Sequence, residues 1–289
     1  MGFWLELAAS GLIVGGIYAV VAVGLNLQYG LMRIMNISHG EFLMLGAYFT
    51  WLAHTVFGIN PVAFLPLVAL ILFLIGIAVY WLCFRRITRT SPTVEVIEAR
   101  SLLVGFGLMY LVQNAAYLVW GADMRGYSFM ADAVEIGGAR FAGNSLLVFG
   151  FAVAASLVLL GVLRWTLFGK AVRAMMQSPT GAQLVGIDTA VLHPVVFGAG
   201  LALAGVAGGL LSMLYEITPG MGEPYTVTAL IVITLGGLGS AAGCLVGGLL
   251  LGLVEAFGMH FTSPSLKMLL SYGVFIGVLL ARPKGLFAR

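Results

Sequence analysis

"TLGGLGSAAG", residues 234–243, interrupts a long apolar run between positions 228 and 257. Gly236, Gly237 and Gly239 permit backbone geometries that other residues resist, so a continuous helix is weakest here. Seven further apolar segments lie outside this run, near 8–29, 42–58, 61–83, 101–120, 145–163, 191–215 and 266–281. Several approach the roughly 20 residues that a helix needs to cross a hydrocarbon core.

Charge shows why the glycine cluster decides the fold. Arg85, Arg86, Arg89 and Arg100 fall in 84–100, Arg164, Lys170 and Arg173 in 164–190, and Arg282, Lys284 and Arg289 in the tail. These ten of the fourteen Lys and Arg residues mark three regions as cytoplasmic by the positive-inside rule, with the N-terminus outside. The connection 121–144, where Asp123, Asp132 and Glu135 meet Arg125 and Arg140, then faces the other side. If 191–215 leaves the cytoplasm and 228–257 returns in one pass, 266–281 carries the basic tail outside. Something within 228–257 must turn back, and the glycine cluster is the place. Exposed backbone at such a turn survives only if buried in protein or facing a water-filled cavity.

The expectation is an all-α integral membrane protein with about eight transmembrane segments and a re-entrant or broken helix in 228–257. Composition agrees: 61% of residues are hydrophobic and 9% charged, and the mean hydropathy is +1.07, far from a soluble domain. The alternation of a transmembrane β-strand is absent. No basic residue precedes "GLIVGGIYAVVAVGLNLQYG", and its apolar run exceeds a cleavable signal's, so this segment is expected to stay in the mature chain. No polar connection is long enough to bury a core of its own, so residues 1–289 read as one membrane domain. Cys83 and Cys244 read as packing residues, without metal or CxxC spacing. The net charge of +3 is spread as topology signals rather than as a nucleic-acid patch. Glycine, at 40 of 289 residues, is about twice its usual share. Gly239, Gly243 and Gly247, and then Gly248 and Gly252, recur every fourth position as faces for close helix approach.

A second anomaly is "MNISHGEF", residues 35–42, where Asn36, Ser38, His39 and Glu41 follow Arg33 between apolar stretches. Ionisable side chains at membrane depth cost ~2.5–3.5 kcal/mol each on insertion scales, so they face a bundle interior or a polar path. A solvated turn between the first two segments explains them equally well.

"YGLMRIMNISHGEFLMLGAY" resembles the N-terminal signature of permease subunits from branched-chain amino-acid ABC importers. The resemblance runs through "GFGLMYLVQN", "TLFGKAVRAMMQSPTGAQLVGIDT", "LGGLGSAAGCLVGGLLLGLVEA" and "RPKGLF", nearly the whole chain, and the Asn-x-x-His-Gly pattern at Asn36, His39 and Gly40 is similar to the H-type permease. It implies a bacterial inner-membrane importer with a second, different permease subunit, two cytoplasmic ATPases, and an extracytoplasmic binding protein that delivers substrate. No cofactor is expected in this chain; ATP and Mg would be bound by the ATPases, since Gly169-Lys170 is followed by Ala171 and lacks the Walker A spacing. Membrane lipid is the other partner, and nucleic acid is not.

The resemblance places a coupling segment at about 165–190, with Gly169, Arg173, Ala174, Gly181, Ala182 and Gly186 meeting the ATPase and Gly181 separating two short helical pieces. Without it, the apolar pattern at Val172, Met175 and Met176 describes an ordinary interfacial helix. A zwitterionic amino acid needs sites for a carboxylate and an ammonium beside apolar room, and broken helices supply them. The expected path lining is Asn36, Ser38, His39 and Glu41 at one break and Gly236 and Gly237 at the other, the two approaching in space, with Thr228 where relatives often carry Lys or another polar residue. Related systems carry urea, short amides or aromatic acids. A secondary transporter would need a coupling-ion site, for which Glu41, Glu216 and Glu255 are the few acidic candidates, and a metal hydrolase would need a ligand spacing that His39, His54, His193 and His260 lack.

Overall fold

The computed structural model describes residues 2–136, 139–263, 266–282 and 285–286. Lys284 and Arg289 of the basic tail lie outside them. Helix α1 spans Gly2–Met32, α2 His39–Thr55 and α3 Pro61–Val79. A π-helical turn, Tyr80–Phe84, carries α3 without interruption into α4, Arg85–Thr90. Helix α5 spans Val94–Trp120, and a hairpin of β1, Ala133–Ile136, and β2, Ala139–Ala142, precedes α6, Gly143–Trp165. Two short helices follow, α7, Leu167–Gln177, and α8, Pro179–Leu184. The chain ends with α9, Thr189–Leu211, α10, Gly222–Gly236, α11, Ala241–Phe261, and α12, Lys267–Ala281.

Six of the described helices are long and apolar enough to cross a membrane: α1, α3 with its extension to Thr90, α5, α6, α9 and α11. Helices α2, α10 and α12 have 17, 15 and 15 residues, or about 22–26 Å at 1.5 Å per residue. The expected eight segments therefore divide differently. The run 228–257 is broken as expected, into two helices, because Gly237 and Gly239 take φ of +86° and +84°, and α10 begins six residues earlier than 228, at Gly222. Segment 101–120 likewise starts at Val94, its first turns held by polar contacts at the helix end.

Small residues set the bundle's geometry. Helices α1 and α11 lie antiparallel, with Gly15 facing the carbonyl of Gly248 and Gly252 facing the backbone of Gly11 and Gly15. A side-chain carbon added at Gly248 would stand 2.6 Å from the Ala19 nitrogen. Without water to expel, helix association in lipid relies on such van der Waals contact between close backbones. The spacing of Gly248 and Gly252 read from sequence thus forms a helix interface. Gly243 packs on Gly236, folding α10 and α11 into an antiparallel hairpin, while Gly76 and Gly198 let α3 and α9 approach closely.

The described basic residues of 84–100 and 164–190 gather at one end, here the basic end, with the 237–240 turn. The tail returns there too, Leu286 donating its backbone N–H to Leu235 O at 2.8 Å. At the opposite end the β-hairpin is pinned by the Arg140 N–H to Glu6 Oε1, 2.8 Å, and Arg125 pairs through its backbone with Ile217.

Candidate functional site

Helix α1 stops at Arg33, which takes a left-handed φ of +56°, a conformation costly for a residue with a Cβ. Its guanidinium lies 5.3 Å from the centroid of the Tyr29 ring, whose hydroxyl donates to Glu98 at 2.7 Å. The chain then turns back into the bundle as an extended stretch. Met35 N–H donates to Ser101 Oγ at 3.0 Å, and Gly105 offers the room that α5 needs to lie against the Met35 and Ile37 backbone. At the bottom of this re-entry His39 reaches Val21 O at 3.2 Å, more than two helical turns above the end of α1. Residues 35–41 are therefore not a solvated turn: Asn36, Ser38, His39 and Glu41 are all buried.

Their polar groups are largely consumed within the protein. Ser38 Oγ donates to Asn36 Oδ1 at 2.6 Å, Asn36 Nδ2 to Gln28 Oε1 at 3.1 Å, and Gln28 Nε2 to Phe197 O at 3.1 Å. This chain ties α1, the re-entry and α9 together. His39 and Glu41 do not contact one another by hydrogen bond. Among the described residues, Nδ1 of His39 and both carboxylate oxygens of Glu41 have no partner.

Helix α10 starts beside this point. Gly40 and Gly222 touch backbone to backbone, Gly40 N–H donates to Thr226 Oγ1 at 2.7 Å, and Glu41 Oε1 lies where a Gly222 side chain would be. Two short helices thus begin at one depth, each with a carboxylate in its first turn, Glu41 in α2 and Glu223 in α10. Those carboxylates complement the partial positive charge of the helix starts.

The two breaks read from sequence do not meet. The first touches the start of α10, and Gly236–Gly237 lies at its other end, roughly 20 Å away at 1.5 Å per residue. There the backbone packs on Gly243 and Gly285, and Asn26 Oδ1 accepts the Gly239 N–H at 2.9 Å. The separation follows from α10 being a whole helix between the breaks.

The segment 165–190 forms two amphipathic pieces at the basic end. Thr166 Oγ1 caps α7 by accepting from Gly169 N–H at 3.0 Å, and Ser178 Oγ caps α8 from Gly181 N–H at 3.1 Å, with Pro179 in its first turn. The divide is thus Ser178, and Gly181 lies inside α8. Gly169 abuts the Leu163 carbonyl, Ala182 is buried, Ala174 and Gly181 are half-buried, and Arg173 and Gly186 are exposed, the last ending α8 at φ +89°. Val172 and Met175 face the bundle, and Met176 stands between Gly30 of α1 and Gly239 of the second break.

A polar cluster that sequence reasoning missed lies between α1, α10, α11 and α12. Glu255 accepts from Tyr18 at 2.7 Å and from Ser271 at 2.5 Å, and pairs with Lys267 Nζ at 3.5 Å. The cluster lines a cavity of about 490 Å³ that also takes in Glu223 and Thr228. Its sequence signal was a single Glu in an apolar helix, Glu255, one of the few acidic candidates for a coupling ion. Among the described residues no three His, Cys, Asp or Glu side chains are placed to hold a metal ion.

A family model described as branched-chain amino acid transport system, permease component, matches residues 7–279. The chain is 32% identical to the high-affinity branched-chain amino acid transport system permease protein BraD of Pseudomonas aeruginosa, over 99% of this chain and 96% of that one. It is 28% identical to the LivH permease protein of Escherichia coli K12, with the same coverage, and 24% identical to the LivM permease protein of Salmonella typhimurium, over 93% of this chain and 67% of that one. No solved structure matches it. A match spanning nearly every helix described above means that the chain belongs to the family of permease components of branched-chain amino acid transport systems.

Proposed function

We propose that this chain is the membrane-spanning subunit of an ATP-driven importer that carries branched-chain or related hydrophobic amino acids. It works with a second, different permease subunit, two cytoplasmic ATPases that bind ATP and Mg, and an extracytoplasmic binding protein, in a bacterial inner membrane. The observation that carries this reading is the α7–α8 unit. It packs against the bundle on one face, is exposed on the other, and touches both α1 and the 237–240 break through Met176 of α7. A push from an ATPase on α8 would reach those two elements through α7. ATP-dependent leucine uptake by vesicles holding the assembled complex tests the reading; uptake that persists without the ATPases and follows an ion gradient overturns it.

The basic end faces the cytoplasm in this proposal. Thr90→Cys and Thr180→Cys, in a background lacking Cys83 and Cys244, should label only after the membrane is opened, and Asp132→Cys should label in intact cells. Labelling of residue 90 or 180 from outside refutes the orientation.

Asn36, Ser38, His39 and Glu41 form one wall of the path, Gly236 and Gly237 a second hinge, and α10 joins them, so a rotation of α10 moves both. Asn36→Leu makes the position apolar while leaving Gln28 Oε1 without its donor and Ser38 Oγ without its acceptor, a cost of about 1–3 kcal/mol per buried group. The expected result is a several-fold fall in uptake per assembled complex, with a smaller fall in assembly. Gly237→Leu, forced to a φ that suits glycine, should behave alike, and unchanged uptake per complex in both variants removes the two breaks from the path.

A further inference from the structure

We propose that the cavity between α1, α10, α11 and α12 is the site where this chain holds a zwitterionic amino acid, Lys267 taking the carboxylate, Glu223 the ammonium, and Val227, Ile231 and Met268 the hydrocarbon side chain. The inference rests on the transport reading and deepens it. The polar re-entry lies outside this cavity: Asn36, Ser38 and Gln28 are bonded to one another, and His39 and Glu41, which keep unpartnered polar atoms, are not among its lining residues.

The cavity has the size and lining of a small-molecule site. Its volume of about 490 Å³ falls within the roughly 300–1,000 Å³ of such pockets, which are mostly apolar with a few placed polar groups. Here the polar groups are of opposite sign. Glu255 is the fixed element: its side chain is 3% exposed and its two oxygens already accept from Tyr18 and Ser271. It therefore holds Lys267 in place, its charge already paired with that ammonium. Lys267, whose side chain is 40% exposed, uses one direction toward Glu255 and the Tyr18 ring, 5.6 Å from its centroid. An ammonium has three donors, so the remainder can meet a carboxylate. Glu223, in the first turn of α10 and exposed, supplies the opposite charge. Thr228, whose hydroxyl donates to Pro224 O at 2.9 Å, keeps lone pairs to accept from a ligand ammonium.

Placement on α10 gives the site a route to the rest of the machine. Glu223 lies one residue from the Gly222–Gly40 contact, and the other end of α10 is the break that Met176 touches. Occupancy and the position of α7 therefore act on the same helix.

The test uses the assembled complex in vesicles, with uptake normalised to complex. Lys267→Met is expected to lower leucine uptake at least tenfold, and Lys267→Arg to restore most of it. Because loss of the cation beside Glu255 could impair folding, Val227→Phe provides a second measurement at a half-buried position on the cavity wall. It should shift the valine-to-leucine uptake ratio at least about threefold toward valine, since room for one methylene is what a pocket reads. Both amino acids are offered by the same binding protein, so the shift belongs to the permease. Wild-type uptake in Lys267→Met, or an equal loss of valine and leucine in Val227→Phe, overturns the site while leaving the transport reading intact. Absence of ATP-dependent uptake of either amino acid by the wild-type complex overturns the transport reading and the site with it.

Discussion

Gly252→Leu should prevent stable accumulation of the chain, whereas Gly277→Leu should leave it near wild type. Both glycines lie in apolar helices and both changes add the same hydrocarbon. The difference is what the new side chain meets. At 252 its first carbon would overlap the Gly11 carbonyl and stand 2.5 Å from the Gly15 backbone, while at 277 nothing lies within 4 Å. Overpacking a core costs typically about 1–3 kcal/mol, and occasionally more, when neighbours can shift. Here the neighbour is helical backbone, which cannot rotate aside, so α1 and α11 must separate along their shared face. Native stabilities are only about 5–15 kcal/mol, so a separation along the whole shared face, rather than a local shift, is what would deplete the folded chain. Monodisperse yield after detergent extraction and the midpoint of thermal unfolding measure it, and a normal yield for Gly252→Leu would mean that the close packing of these helices is dispensable.

Leu184→Glu combined with Val185→Glu should abolish ATP-dependent uptake while the chain remains inserted and paired with the second permease. These two side chains are 83% and 77% exposed at the end of α8, so they contribute little to the folded bundle, and charges on them are tolerated by the isolated chain. Single exposed apolar residues are unremarkable. This pair stands at the basic end, where Trp165 and Leu167 are also exposed, so apolar surface accumulates on the face of the coupling segment. Co-purification of the ATPases should fall at least tenfold. Retained ATPases and full uptake would move the docking surface elsewhere.

Much of this was legible in residue chemistry. Glycines at 236, 237 and 239 inside an apolar run announced a break, and the break is there, because only glycine takes the positive φ of Gly237 and Gly239 cheaply. Polar residues at 36–41 left a solvated turn and an interior role equally open, and their burial decides for the interior. What the sequence did not carry was depth. Arg33 ends α1 in a left-handed conformation with no glycine to signal it, and the return of His39 to the level of Val21 depends on Ser101 and Gly105 of another helix. The start of α5 at Val94 was hidden in the same way, since Glu98 looks like loop until Tyr29 is seen to donate to it. Glu255 and Lys267 were each visible alone, but no periodicity links them, and the partner that pins them, Tyr18, lies at the other end of the chain. The divide between α7 and α8 was misplaced by three positions because a serine cap and a proline, not the nearby glycine, end one helix and start the next.

The pairing of the first long helix with one of the last bears on how the molecule is made. Tyr18 and Glu255 are 237 residues apart, and at ribosomal speeds of about 5–20 residues per second roughly 12–50 seconds pass between their synthesis. Through that interval the small-residue stripe of the N-terminal helix sits in lipid or against an insertase with no native mate. A nascent chain halted before residue 241 leaves the Gly11 and Gly15 face without its partner helix permanently.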